Sequence, residues 1–199
     1  MYELIILARL MQRPAHGYLI AKIINHIIGP YTKMSNGRLY PLLARLEKDG
    51  LITIAREPTL CPHGGRPMRA YEITETGQKR FYTLMLDTTA NPGEYQKIFA
   101  QKACYLHLLE PIERLHIIDH YITYCQTHIH HKTNEAEDIR LKAPGWGDEW
   151  EFMQDRVINM LHHSTNQWQL ELAWATQLRD QEVATIFSEQ TENTSTSIN

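Results

Sequence analysis

A mainly α fold, with α+β character confined to the N-terminal part, is what this 199-residue sequence predicts. Three observations carry that expectation. Three apolar stripes at helical spacing come first. Two short alternating stretches then flank a Pro- and Gly-rich loop, and beyond residue 94 the pattern is helical almost throughout. No apolar run approaches the roughly 20 residues of a membrane-spanning helix. The start Met1-Tyr2-Glu3-Leu4 lacks the basic region of a signal peptide. Cys61, Cys104 and Cys125, three in all and widely spaced, write neither a disulfide framework nor a zinc module. A cytoplasmic protein without a cofactor or membrane partner is expected.

The elements follow in order. Leu4, Leu7, Ala8 and Met11 form the first stripe, Ile20, Ile23, Ile24 and Ile27 the second, and Leu39, Leu42, Leu43 and Leu46 the third. Breakers separate them: Arg13-Pro14-Ala15-His16-Gly17, Gly29-Pro30 and Asp49-Gly50. Ile52 and Ile54, then Tyr71 and Ile73, alternate with period two and predict a hairpin. Its connection, residues 58–67, is too long and too rich in Pro and Gly for a tight turn and should project as a flap. Thr74-Glu75-Thr76-Gly77 opens a fourth helix, to about Leu86. Helix, helix, helix, hairpin, helix is the order of a winged helix-turn-helix, placed at residues 1–88.

Small polar residues from Thr88 to Gly93 mark a junction. A helical domain for dimerisation and effector binding is expected over 94–188, beginning with a helix at 94–109. The next helix starts at Pro111, and the last runs from Asp148 to Ser188 after the Pro144–Gly147 loop. Val157, Leu161, Trp168, Leu172 and Leu178 belong to the last helix's apolar stripe, long enough to meet a second copy of the chain. The Thr-, Ser- and Asn-rich tail, 189–199, is expected to be disordered.

The net charge of −3 hides a division, +5 over residues 1–90 and −8 over 91–199, so the first half alone is suited to a polyanion. In the third helix the leucines define the inner face and leave Gly37, Pro41, Ala44 and Lys48 outward, flanked by Arg38 and Arg45 on one shoulder and Tyr40 on the other. Such a face can approach a major groove closely, with Asn36, Arg38 and Lys48 the candidates for reading bases. Starting this helix near Gly37 places Pro41 in its first turn, where the missing N–H costs nothing. In the flap, His63, Gly65, Arg66 and Arg69 suit entry into a minor groove, whose narrow walls attract an arginine. Tyr18 either hydrogen-bonds a phosphate or braces the second helix against the third. The His116 and His120 pair has metal-ligand spacing but neither a third ligand nor a general-base glutamate, so no metal is assigned. No nucleophile elbow, phosphate loop or carboxylate pair points to an enzyme.

His16-Gly17-Tyr18, the run Gly37-Arg38-Leu39-Tyr40-Pro41-Leu42-Leu43-Ala44-Arg45-Leu46-Glu47-Lys48-Asp49-Gly50-Leu51-Ile52, and Gly65-Arg66-Pro67-Met68-Arg69-Ala70-Tyr71-Glu72-Ile73-Thr74-Glu75-Thr76-Gly77 together resemble the PadR family of bacterial transcription regulators. That resemblance covers about residues 1–86. It implies a homodimer on a palindromic DNA operator, usually repressing, with founding members that respond to phenolic acids. A small aromatic effector needs an apolar slot with a cation at one end, and Arg9 with Trp146 or Trp150 would supply these if their helices pack together. Two other readings stand beside this one. One is a winged-helix adaptor that binds protein, and the other is a His-rich, metal-responsive binder.

Overall fold

The structure, a computed structural model, describes residues 2–56, 69–142 and 148–196; of 142, 148–152 and 189–196 it describes the backbone alone. It divides into two compact units, Met1–Leu108 and Leu109–Asn199.

In the first unit α1 (Tyr2–Gln12) is buried from Leu4 through Leu10, so the whole run is enclosed and not one stripe of it. Strand β1 (Ala15–His16) and helix α2 (Gly17–Ile28) follow, and the latter buries Ile20, Ala21 and Ile24. The breaker region therefore contains a strand, too short to carry a period-two signal. Asn25 closes the connection to α3 (Asn36–Lys48): its Oδ1 accepts from the Met34 N–H at 2.6 Å and its Nδ2 donates to the Met34 carbonyl at 3.4 Å.

Helix α3 starts one residue earlier than expected, capped at Ser35, and this carries Pro41 beyond the first turn and into the helix. Pro41 has no N–H to give the Gly37 carbonyl four residues back, and both residues are exposed. Leu39, Leu43 and Leu46 are buried beneath.

Strands β2 (Ile52–Ile54) and β3 (Ala70–Ile73) form the expected antiparallel pair, with Ile52 opposite Ile73 and Ile54 opposite Tyr71. Strand β1 adds to the other edge of β3, Ala15 opposite Tyr71, giving the order β1-β3-β2. The flap at 58–67 lies outside the described residues.

Thr74 starts α4 (Glu75–Leu86) by accepting from the Gly77 N–H at 3.0 Å while its hydroxyl donates to the Gly50 carbonyl at 2.6 Å. That folds the chain so tightly that a Cβ on Gly77 would lie 1.9 Å from the Leu51 carbonyl oxygen. Only glycine fits there.

The helix expected at 94–109 is a shorter α5 (Tyr95–Ala103) between one-turn 3-10 segments at Pro92–Glu94 and Leu106–Leu108. It belongs to the first unit, so the boundary lies after Leu108 and not at the polar stretch 88–93. Its Tyr95 and Phe99 are buried, and Lys102, 1% exposed, donates to the Asp87 carbonyl at 2.5 Å beside the Tyr95 ring. Burial pushes the Lys102 ammonium down to about 8 from an ordinary 10.5.

The second unit is a hairpin of two long helices, α6 (Pro111–Lys142) and α7 (Asp148–Thr196). Their pairs run in opposite order along the two chains, as antiparallel packing requires. Arg114 meets Glu182 at 2.8 Å, Asp119 meets Arg179 at 2.6 Å, and the Tyr121 hydroxyl donates to Glu171 at 2.7 Å. Further along, His128 stacks on Trp168 with ring centres 4.1 Å apart. Ala136 and Ile139 then pack with Ile158 and Leu161, with Val157 beside them. Helix α7 continues through Thr196, so the tail expected to be disordered is helical to that point. Among the described residues, no helix is long and apolar enough to cross a membrane.

Candidate nucleic-acid interface

The outer face of α3 is as expected from its leucine spacing: Gly37, Arg38, Tyr40, Pro41, Ala44, Arg45 and Lys48 are all exposed. Small side chains occupy its centre. Arg38 leans toward the start of α1, its guanidinium 5.8 Å from the Tyr2 ring centre. Arg45 sits 3.6 Å from Asp49 in a pair so open to water that the arginine stays available to another anion.

Tyr40 is tied to the start of α2, where a Cβ on Gly17 would stand 3.2 Å from its ring. That contact accounts for the glycine of His16-Gly17-Tyr18. The histidine acts as a cap, its Nδ1 accepting from the Leu19 N–H at 3.1 Å. Tyr18 is 65% exposed and is no buried brace between α2 and α3.

Beside this face lies a cavity of about 710 Å³ lined by Tyr18, Ala21, Lys22, Asn25, His26, Lys33, Met34, Ser35 and Asn36. Among the described residues, no carboxylate lines it. The start of α3 opens onto it at Ser35 and Asn36, with orphan backbone N–H groups and the positive end of the helix dipole. Lys22 and Lys33 were not among the residues singled out from the sequence. Lys22 lies one helical turn after Tyr18 on the same face of α2, so reading the polar face of α2 as closely as that of α3 would have found it. Lys33 belongs to an irregular connection that has no periodicity to read.

The remaining candidates are placed as follows. Arg69 is engaged within the chain, its Nη2 3.0 Å from both carboxylate oxygens of Glu47 and its guanidinium over the Tyr71 ring. It ties the approach to β3 against α3. His63, Gly65 and Arg66 lie outside the described residues. Arg9 is buried, donates to the Arg13 carbonyl at 2.9 Å, and is held below its ordinary value by burial and then by Arg13. Trp146 lies outside the described residues, as does the side chain of Trp150. Val157, Leu161 and Trp168 pack on α6 of the same chain, while Leu172 and Leu178 are half-buried. Among the described residues, no group of three or more His, Cys, Asp or Glu side chains is arranged to hold a metal ion.

A family model described as the transcriptional regulator PadR-like family matches residues 6–83, from α1 into α4. Among solved structures, Bacillus subtilis PadR in complex with operator DNA is 17% identical, covering 90% of this chain and 96% of that one, with a TM-score of 0.39. The same protein in complex with p-coumaric acid is 14% identical over 90% and 97%, with a TM-score of 0.37. A transcriptional regulator from Clostridium thermocellum is 30% identical over 41% of this chain and 74% of that one, with a TM-score of 0.33. Among curated proteins there is no match.

Proposed function

This chain belongs to the PadR-like family of transcriptional regulators, and from that premise we propose that it is a homodimeric repressor which binds a palindromic operator and is released by a small aromatic ligand such as a phenolic acid. One observation carries the DNA-binding part: Lys22, Lys33, Arg38 and Lys48 surround a helix face whose centre is small enough to reach base edges. The lysines and arginines take phosphates, and Asn36, Arg38 and Lys48 read bases. The flap, with His63, Gly65 and Arg66, adds the minor groove. Arg69 is held by Glu47 of α3.

Dimerisation is supported by what the α6–α7 hairpin leaves uncovered. Met153, Met160, Leu170 and Phe187 on α7 are all more than half exposed. Isolated apolar side chains are ordinary, but Met153 and Met160, two turns apart on one face of an otherwise self-packed hairpin, suit a second copy. Two copies then hold their α3 helices one DNA turn apart, about 34–36 Å.

The test is binding of the full chain to its own promoter region by mobility shift across salt concentrations. Six to eight neutralised phosphates per dimer give a log–log slope of about −5 to −7. A slope shallower than about −2, or no shift at all, overturns the proposal.

A further inference from the structure

The first unit holds a second cavity, of about 540 Å³, which the DNA-binding reading does not use. Tyr2, Ile27, Ile28 and Ala100 give it apolar walls, and its size is that of a small-molecule site. Gln101 also lines it. That side chain is 5% exposed, and its Oε1 is shielded from water with no hydrogen-bond partner among the described residues. A buried acceptor without a donor is unfavourable, and the soft terminal torsion of a glutamine lets the amide turn toward a donor that enters. The lining cation, Lys97, is 3.2 Å from Glu94 in an exposed pair, and a carboxylate, which has no donor, could not answer the Gln101 oxygen.

We propose that this cavity binds a small neutral ring compound carrying an O–H or N–H donor, which hydrogen-bonds to Gln101, and that occupancy is coupled to DNA binding through the α2–α3 connection. The coupling rests on the DNA-binding reading above and on two lining residues. His26 lines both this cavity and the one beside α3, and Thr32 lies next to Lys33. A ligand here therefore touches the segment that positions the helix-turn-helix.

Phenol and indole serve as probes, toluene as the ring without a donor, and benzoate as the anionic comparison. They are titrated into the full-length chain and followed by amide chemical shifts. Phenol and indole are expected to bind at least about fivefold more tightly than toluene, the worth of one hydrogen bond, and more tightly than benzoate. Gln101→Leu, which keeps the volume and removes the orphan acceptor, should fold as well as wild type and bring phenol down to the level of toluene. Ala100→Trp, at an exposed position of the lining, should abolish binding of every probe. Equal affinity for phenol and toluene, preference for benzoate, or phenol binding that survives Ala100→Trp overturns the site. The coupling is read separately. Saturating phenol or indole should change affinity for promoter DNA at least about fivefold. DNA binding that ignores both probes overturns the coupling alone, whereas failure to bind DNA with the cavity still occupied overturns the repressor reading and leaves the cavity standing.

Discussion

In the first unit, α2 and α4 begin at His16 and Thr74, whose side chains each accept from a backbone N–H three residues on, and each helix start contains a glycine with a neighbour pressed against it. The hairpin of the second unit has one comparable bond, from the Glu110 N–H to the Glu113 carboxylate at 3.0 Å where α6 starts, but no glycine among its described residues. Its helices are joined along their length by two ion pairs, a tyrosine–glutamate bond, a His–Trp stack and a small aliphatic cluster. The first arrangement concentrates specification in a few atoms, and the second spreads it over many replaceable contacts. One therefore yields a recognisable motif, and the other yields only a long helical pattern.

The difference can be broken most severely from the hairpin side. Leu161 is 5% exposed in the aliphatic cluster, and Leu161→Asp should cost about 4 kcal/mol or more in the second unit, since it loses apolar burial and buries an unpaired charge. All four tryptophans lie in that unit, so their fluorescence during urea unfolding reports it alone. Gly77→Ala should cost the first unit about 3 kcal/mol by overpacking against the Leu51 carbonyl. The tryptophan transition should stay where it was while DNA binding is lost. If Gly77→Ala shifts both transitions together, the two units do not unfold separately.

A chain ending at Leu108 sharpens the comparison by removing the second unit altogether. It should remain folded, sediment as a monomer and bind the operator about a hundredfold more weakly through loss of the linkage between half-sites. Unchanged affinity would detach the hairpin from function. Smaller again is Arg66→Ala, expected to cost DNA binding about 1–3 kcal/mol if the flap enters the groove. A change within about 0.3 kcal/mol would leave α3 as the reader without it.

The pH responses act on each unit separately. Lys102 sits at about 8 in the folded chain against an ordinary 10.5, so the unfolded chain holds that proton more tightly between these values. Its contribution to stability therefore rises from about pH 8 to 10.5, and the rise should vanish in Lys102→Met. His128 is held below its ordinary 6.5 by burial against Trp168 and then by Lys132 and His131. The hairpin should lose stability as the pH falls below 6.5, and His128→Gln should remove that dependence.

Much of the first unit was legible because its leucines and isoleucines keep helical and strand periods, and because glycines stand where no other residue fits. The inner and outer faces of α3 followed from leucine spacing alone. What escaped was set by contacts distant in sequence. The two-residue β1 exists because β3 offers it an edge, and α5 belongs to the first unit because Tyr95, Phe99 and Lys102 are buried there. Arg69 reads as a free cation until Glu47 is brought beside it. In the hairpin, the stripe through Val157, Leu161 and Trp168 was visible, but spacing cannot say which chain provides its partner, and these residues pack on their own α6.

Pro41 leaves an opening in the wall of α3. The Gly37 carbonyl has no Pro41 N–H to receive, and it lies in the first turn of the helix whose exposed face is expected to meet DNA. In the free protein water can serve it. Whatever docks there must bring its own donor, a base amino group or a retained water, or leave the oxygen unsatisfied at a cost of about 1–3 kcal/mol. Part of what this helix can distinguish is therefore written in the main chain, where replacing side chains one by one with alanine would not reveal it, except at Pro41 itself, whose replacement restores the missing N–H and closes the gap.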